Sequence, residues 1–123
     1  MPTLANGVVY FGSDDGNIYA VNLSTNGLLW RYKAHTLAQS HPAVAGGSVF
    51  VGADKRMYAL NASTGALVWS HYLGSYIYTA GVAAADGLVY VGTSNTFYAL
   101  KQINGHVAWS YTTGAGFSPP TLA

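Results

Sequence analysis

ALNASTGALVW, running from Ala59 to Trp69, sets an apolar strand end, a polar turn and a returning Trp strand in one short stretch. The same phrase recurs as AVNLSTNGLLW from Ala20 to Trp30 and as ALKQINGHVAW from Ala99 to Trp109. The closing residues, Trp30, Trp69 and Trp109, lie 39 and 40 residues apart. A period of about 40 residues marks one supersecondary unit copied three times. Such a unit buries its apolar faces only by stacking on its neighbours.

Working outward from the Trp phrase, each copy opens on a short apolar segment: PTLA at Pro2, PAVA at Pro42 and VAAA at Val82. A turn pair follows, Asn6-Gly7, Gly46-Gly47 or Asp86-Gly87, of the kind that closes two-residue hairpins. Then come VVYFGS, SVFVGA and LVYVGT, rich in β-branched and aromatic residues. A polar loop leads into IYAV, MYAL and FYAL, and a second turn into LLWRY, LVWSH or VAWSY. The segments are too short for independent helices, and no 3.6-residue stripe runs through them. Four short strands with hairpin links, here named A to D, make an antiparallel meander, and tandem meanders of this length are β-propeller blades. The fold class is therefore all-β, with blades over residues 2–41, 42–81 and 82–119 and an extra strand, the opening strand of a fourth blade, over 120–123. A sandwich of many strands is the alternative, but it does not require the same turn and the same Trp at a fixed period.

Composition narrows the function classes. Half of the residues are hydrophobic and 7% are charged, against roughly 25% charged in an average globular domain. Ten Tyr and fifteen Gly suit aromatic strands and tight turns. A formal net charge of +1, with no basic run, gives no electrostatic reason to expect nucleic acid. There is no Cys, hence no disulfide, thiolate metal site or Cys nucleophile. No stretch of apolar residues is long enough for a membrane helix, and no basic start precedes an apolar segment as in a signal peptide. So few charges leave the surface poorly hydrated, and part of it is expected to be covered by something else.

The second copy fills every slot of the pattern Ala-x-Asp/Asn-x-x-Thr-Gly-x-x-x-Trp with Ala59, Asn61, Thr64, Gly65 and Trp69. The first keeps Ala20, Asn22, Thr25 and Trp30 and has Asn26 where Gly is usual. The third keeps Ala99, Gly105 and Trp109 and has Lys101 and Asn104 in the Asp/Asn and Thr places. In this the chain resembles the pyrroloquinoline-quinone-type propellers, which include quinoprotein alcohol dehydrogenases, and the likeness covers nearly its whole length. The resemblance implies that Trp30, Trp69 and Trp109 are inter-blade docking residues, with Gly65, Gly105 and Asn26 at the turns. Asn tolerates the left-handed backbone better than any residue but Gly, so Asn26 keeps the turn.

The resemblance also raises the question of chemistry. In the family's enzymes the quinone lies in a complete ring, held by a calcium or lanthanide ion, a catalytic Asp and often a vicinal Cys pair. This chain has no Cys, and three blades do not surround a ligand. No catalytic, cofactor-binding or metal-binding residue is assigned, and no cofactor is expected. Asp14 and Asp15 in SDDGN, and Asp54 in the matching loop, lack the spaced oxygens of a calcium loop and read as turns. His35 and His41 flank the first D-to-A link and have no third ligand for zinc; His71 and His106 stand apart. In an A-B-C-D meander the D-to-A and B-to-C loops emerge on one face. His35, His41, Tyr76, Tyr78 and Phe117 would then share a surface with Asp14, Asp15 and Asp54, forming a candidate binding face for a peptide or small ligand.

A stack of three blades leaves two apolar sheet faces open, whereas rings usually hold about 4–8 blades. Two copies would supply six, so the expected partner is the chain itself, in a homodimeric six-bladed ring. The final PTLA repeats the first, and would either displace its double as a swapped clasp or mark an excised or engineered piece of a longer propeller. The function expected is a non-catalytic structural or protein-interaction scaffold. The alternatives are a piece of a quinone-dependent dehydrogenase and a carbohydrate- or peptide-binding sensor domain. The non-enzymatic branch of the family, outer-membrane assembly lipoproteins and extracellular sensors, implies a bacterial periplasmic or extracellular location and no membrane insertion.

Overall fold

The computed structural model describes residues 3–34, 41–94 and 96–112, with backbone alone at 78–81. The first copy forms β1 (Thr3–Ala5), β2 (Val8–Gly12), β3 (Asn17–Asn22) and β4 (Leu28–Lys33). The second forms β5 (Ala43–Ala45), β6 (Ser48–Ala53), β7 (Arg56–Asn61) and β8 (Leu67–Tyr72). The third forms β9 (Ile77–Ala85), β10 (Leu88–Thr93), β11 (Thr96–Lys101) and β12 (Val107–Thr112). Each set is one antiparallel sheet with its strands in chain order, so three four-stranded propeller blades follow one another. The first strands of the blades converge, β1 beside β5 and β5 beside β9. The expected strand at 120–123 lies outside the described residues.

Register explains why the Trp phrase is so uniform. Ala20, Ala59 and Ala99 pair directly across from Trp30, Trp69 and Trp109, and a bulge follows each pair. All three Ala are fully buried. The turn between the third and fourth strands is held by side chains competing for backbone amides. Asn22 Oδ1 accepts from the amides of Ser24 and Thr25 at 2.8 and 3.2 Å, and Asn61 Oδ1 from Ser63 and Thr64 at 2.8 and 3.1 Å. Thr25 and Thr64 then accept from Gly27 and Ala66. In the third blade, where Lys101 has no such acceptor, Asn104 Oδ1 takes the amide of His106 at 2.9 Å. Asn104 thus does the work of the missing Thr.

The third blade starts earlier than the sequence suggests. Strand β9 begins at Ile77, not at Val82, and takes in Tyr78, which was expected in a loop. The strand runs on because a bulge between Val91 and Thr93 lets Ile77 pair with Thr93. The Ile77 amide also donates to the Asp54 carbonyl of the second blade at 2.9 Å. Among the described residues no helix is long and apolar enough to cross a membrane.

The core lies between the sheets, in two separate clusters. One joins Tyr10, Ile18, Ala20 and Trp30 of the first blade to Val49, Val51 and Leu60 of the second. The other joins Phe50, Met57, Ala59 and Trp69 of the second to Val89, Val91 and Leu100 of the third. The first two blades therefore offer trailing faces bearing aromatics, and the second and third offer leading faces of Val and Leu. Burial of this apolar area is what holds one blade to the next.

Candidate functional site: the blade-docking faces

Each junction is built around one indole. Trp30 is 7% exposed and its Nε1–H donates to the Ala62 carbonyl of the second blade at 2.9 Å. Trp69, 8% exposed, donates likewise to the Gln102 carbonyl of the third blade at 2.7 Å. Buried indoles need such an acceptor, and here the neighbouring turn supplies it. Tyr10 and Phe50 tilt against Trp30 and Trp69, each with ring centroids 6.0 Å apart.

The receiving surface of each indole is a glycine. Gly65 and Gly105, with φ of 77° and 75°, adopt the left-handed backbone. A Cβ at Gly65 would stand 2.6 Å from Trp30 Cδ2, and one at Gly105 would enter the Trp69 ring. Glycine is needed here twice over, for its backbone and for the close approach of the ring. The junction is further tied by tyrosines reaching backwards: Tyr58 donates to the Ala34 carbonyl at 3.3 Å and Tyr98 to the Leu73 carbonyl at 3.4 Å.

The third copy of this device differs. Trp109 is 47% exposed, and its indole N–H finds no acceptor among the described residues. It lies against Phe97 and Tyr90 of its own blade, at 5.9 and 6.2 Å. Every residue of β12 is exposed, whereas β4 and β8 each bury their Trp. Asn26, at the place of Gly65 and Gly105, has φ 56° and is exposed.

The loop face expected from the sequence is only partly described. Amides at the ends of the fourth strands bond to the loops between second and third strands: Ala34 to the Gly16 carbonyl at 2.7 Å and Leu73 to that of Lys55 at 2.8 Å. Asp14, Asp15, Asp54 and Tyr76 therefore share one end of the blades. Tyr76 is exposed beneath the Lys55 ammonium, 4.8 Å from its ring centroid. Asp15 is engaged locally, accepting from the Tyr19 hydroxyl and the Asn17 amide. The Tyr19 bond, and then the Asn17 amide, hold its carboxyl below the ordinary range, and the same bond raises the Tyr19 phenol. His41 is half-buried before β5, and burial lowers its imidazole pKa. His35 and Phe117 lie outside the described residues, as does the side chain of Tyr78.

No three His, Asp or Glu side chains among the described residues gather where a metal ion could sit. Asp14 and Asp54 lie at turns, Asp54 with φ 59°, and Asp86 turns at the opposite end with φ 54°. Among the described residues no donor set gathers for the metal ion that holds a quinone, so no chemical step runs through either. What the sequence did not reveal is a pair of grooves at that opposite end, along the two blade seams. One is lined by Asn6, Leu29, Val44 and Ser63 and the other by Ser48, Val68, Gln102 and Ile103, among others. Ile103, 82% exposed in a turn, was an available signal.

A repeat-family model described as the outer membrane protein assembly factor BamB matches residues 1–118. The chain belongs to this family. Among solved structures, BamB from Moraxella catarrhalis is 23% identical, with a TM-score of 0.83 over 92% of this chain and 34% of that one. The quinohemoprotein alcohol dehydrogenase from Comamonas testosteroni is 22% identical, with a TM-score of 0.79 over 91% of this chain and 20% of that one. The computationally designed Ika8 protein is 18% identical, with a TM-score of 0.88 over 99% of this chain and 39% of that one. These likenesses show the propeller fold. The chain spans about a third of the BamB chain and a fifth of the dehydrogenase. Among curated proteins none matches by sequence.

Proposed function

We propose that this member of the BamB-type family is a non-catalytic propeller module, a structural and protein-interaction scaffold whose working surfaces are its blade faces. One observation carries the reading: the indole-on-glycine junction occurs twice, and a third indole, Trp109, is 47% exposed with no glycine beneath it among the described residues. Trp30, Trp69 and Trp109 are the docking residues, and Gly65 and Gly105 receive the first two. The further blades come from a second copy, closing a six-bladed ring, or from a larger ring of which these three are part. A protein or peptide partner is seated through the same faces or at the loop end carrying Asp15, Asp54 and Tyr76. Family membership supports a bacterial periplasmic or extracellular setting.

Reconstitution separates this scaffold from the dehydrogenase alternative. The chain incubated with pyrroloquinoline quinone and calcium is expected to give no dye-linked oxidation of alcohols or sugars. Turnover that depends on added quinone would overturn the reading.

A further inference from the structure

Two junctions inside the chain define what a trailing face accepts. In both, the incoming blade brings a small β-branched side chain, Val51 or Val91, fully buried against the junction. It brings a glycine beneath the indole, Gly65 or Gly105. It also brings a tyrosine, Tyr58 or Tyr98, whose hydroxyl reaches back to a carbonyl of the preceding blade.

The leading face of the first blade departs at all three places. Phe11 stands where Val51 and Val91 stand, and stacks on Tyr19 with centroids 5.3 Å apart. Tyr19, the counterpart of Tyr58 and Tyr98, donates its hydroxyl to Asp15 within its own blade. The loop that holds Asp15 is one residue longer than its counterpart, Ser13 to Asn17 against Ala53 to Arg56. Asn26 replaces the receiving glycine, in the same left-handed backbone. It therefore carries the Cβ for which the Trp30 ring leaves no room at Gly65. The clash falls on the rigid ring of a buried indole, including its Cγ near the root, so the whole side chain would have to move.

We propose that the open face of the third blade takes a further blade of this repeat with glycine at the Gly65 position, and that Asn26, Phe11 and the Asp15–Tyr19 bond turn away the first blade of a second copy. This rests on the docking reading of Trp109. The partner is a four-stranded antiparallel blade with a small aliphatic residue at the Val51 position and a glycine turn to receive the ring. The homodimeric ring lacks that receiver at its joints. The specificity comes from a steric element set against the wrong partner, as well as from the apolar match to the right one.

A mixing experiment on the full chain tests it. The receiver is Asn26→Gly/Trp109→Ala, which has a glycine turn and no docking indole of its own. A second receiver adds Phe11→Val, and urea midpoints near wild type establish that each is folded. Sedimentation equilibrium should show heterodimers of wild type with either receiver at least about ten-fold tighter than wild-type self-association. Wild-type self-association as tight as the mixed pair, and abolished by Trp109→Ala, would overturn the role of Asn26 while leaving Trp109 as a docking residue. Absence of association in every pairing would overturn the docking reading itself.

Discussion

Trp69 and Trp109 occupy the same register position on successive blades, each opposite a fully buried Ala, yet one is 8% exposed and the other 47%. Their own sheets pair them alike. What separates them is the following blade: Trp69 has Gly105 beneath it and the Gln102 carbonyl at 2.7 Å, and Trp109 has neither among the described residues. The burial of a docking residue is thus a property of the pair of blades. Its own strand only aims it.

The strongest test of that contrast removes the buried ring. Trp69→Ala should cost about 3–5 kcal/mol, the usual scale for emptying an aromatic core site. Urea denaturation showing a loss below about 1 kcal/mol would break the comparison, since the ring would then contribute no more than an exposed one. Filling the receiver should come next. Gly65→Ala places a methyl group in the Trp30 ring and strains a positive φ, for an expected loss of about 2–4 kcal/mol in the same assay. Trp109→Ala in the isolated chain should cost less than about 1 kcal/mol, because its surroundings are half solvent.

Two smaller effects sharpen the picture away from the indoles. His41 lies at the link into the second blade, and burial depresses its pKa. The unfolded state therefore binds the proton first as pH falls through the ordinary value of 6.5. Stability should decline from pH 7 towards pH 5, and His41→Gln should flatten that decline in thermal melts. On the first blade, Asp15→Asn removes the carboxylate that raises the Tyr19 phenol. Ultraviolet titration of the tyrosinate should then show one phenol ionising at lower pH than in wild type, with little change in stability.

The fold was legible because the turn chemistry repeats: paired turns, β-branched strands and the Trp phrase each fix a local geometry, and three copies remove most alternatives. The interchange of Asn104 for Thr64 shows the limit of matching letters to a pattern, since different side chains satisfy the same amide. Strand β9 was misplaced because its early start depends on a bulge at Val91 and on a bond from Ile77 to the neighbouring blade, neither of which leaves a local signature. The site was less legible. The Asn26 departure could be seen, but its backbone tolerance was visible and its Cβ was not. Whether a methylene matters there depends on a ring 35 residues away, as between Trp30 and Gly65. The seam grooves likewise arise only when two sheets lie side by side.

The two-cluster core has a kinetic meaning as well. Strand β6 is buried at every position but its first, while β2 buries only Tyr10 fully. Among the described residues the middle blade is clamped on both flanks, and the other two on one. In a stack coupled only through nearest neighbours, opening proceeds from the ends inwards. The amides of β6 and β7 should thus be the last to exchange with solvent, making the central blade the keystone to which its neighbours anneal and from which they fray.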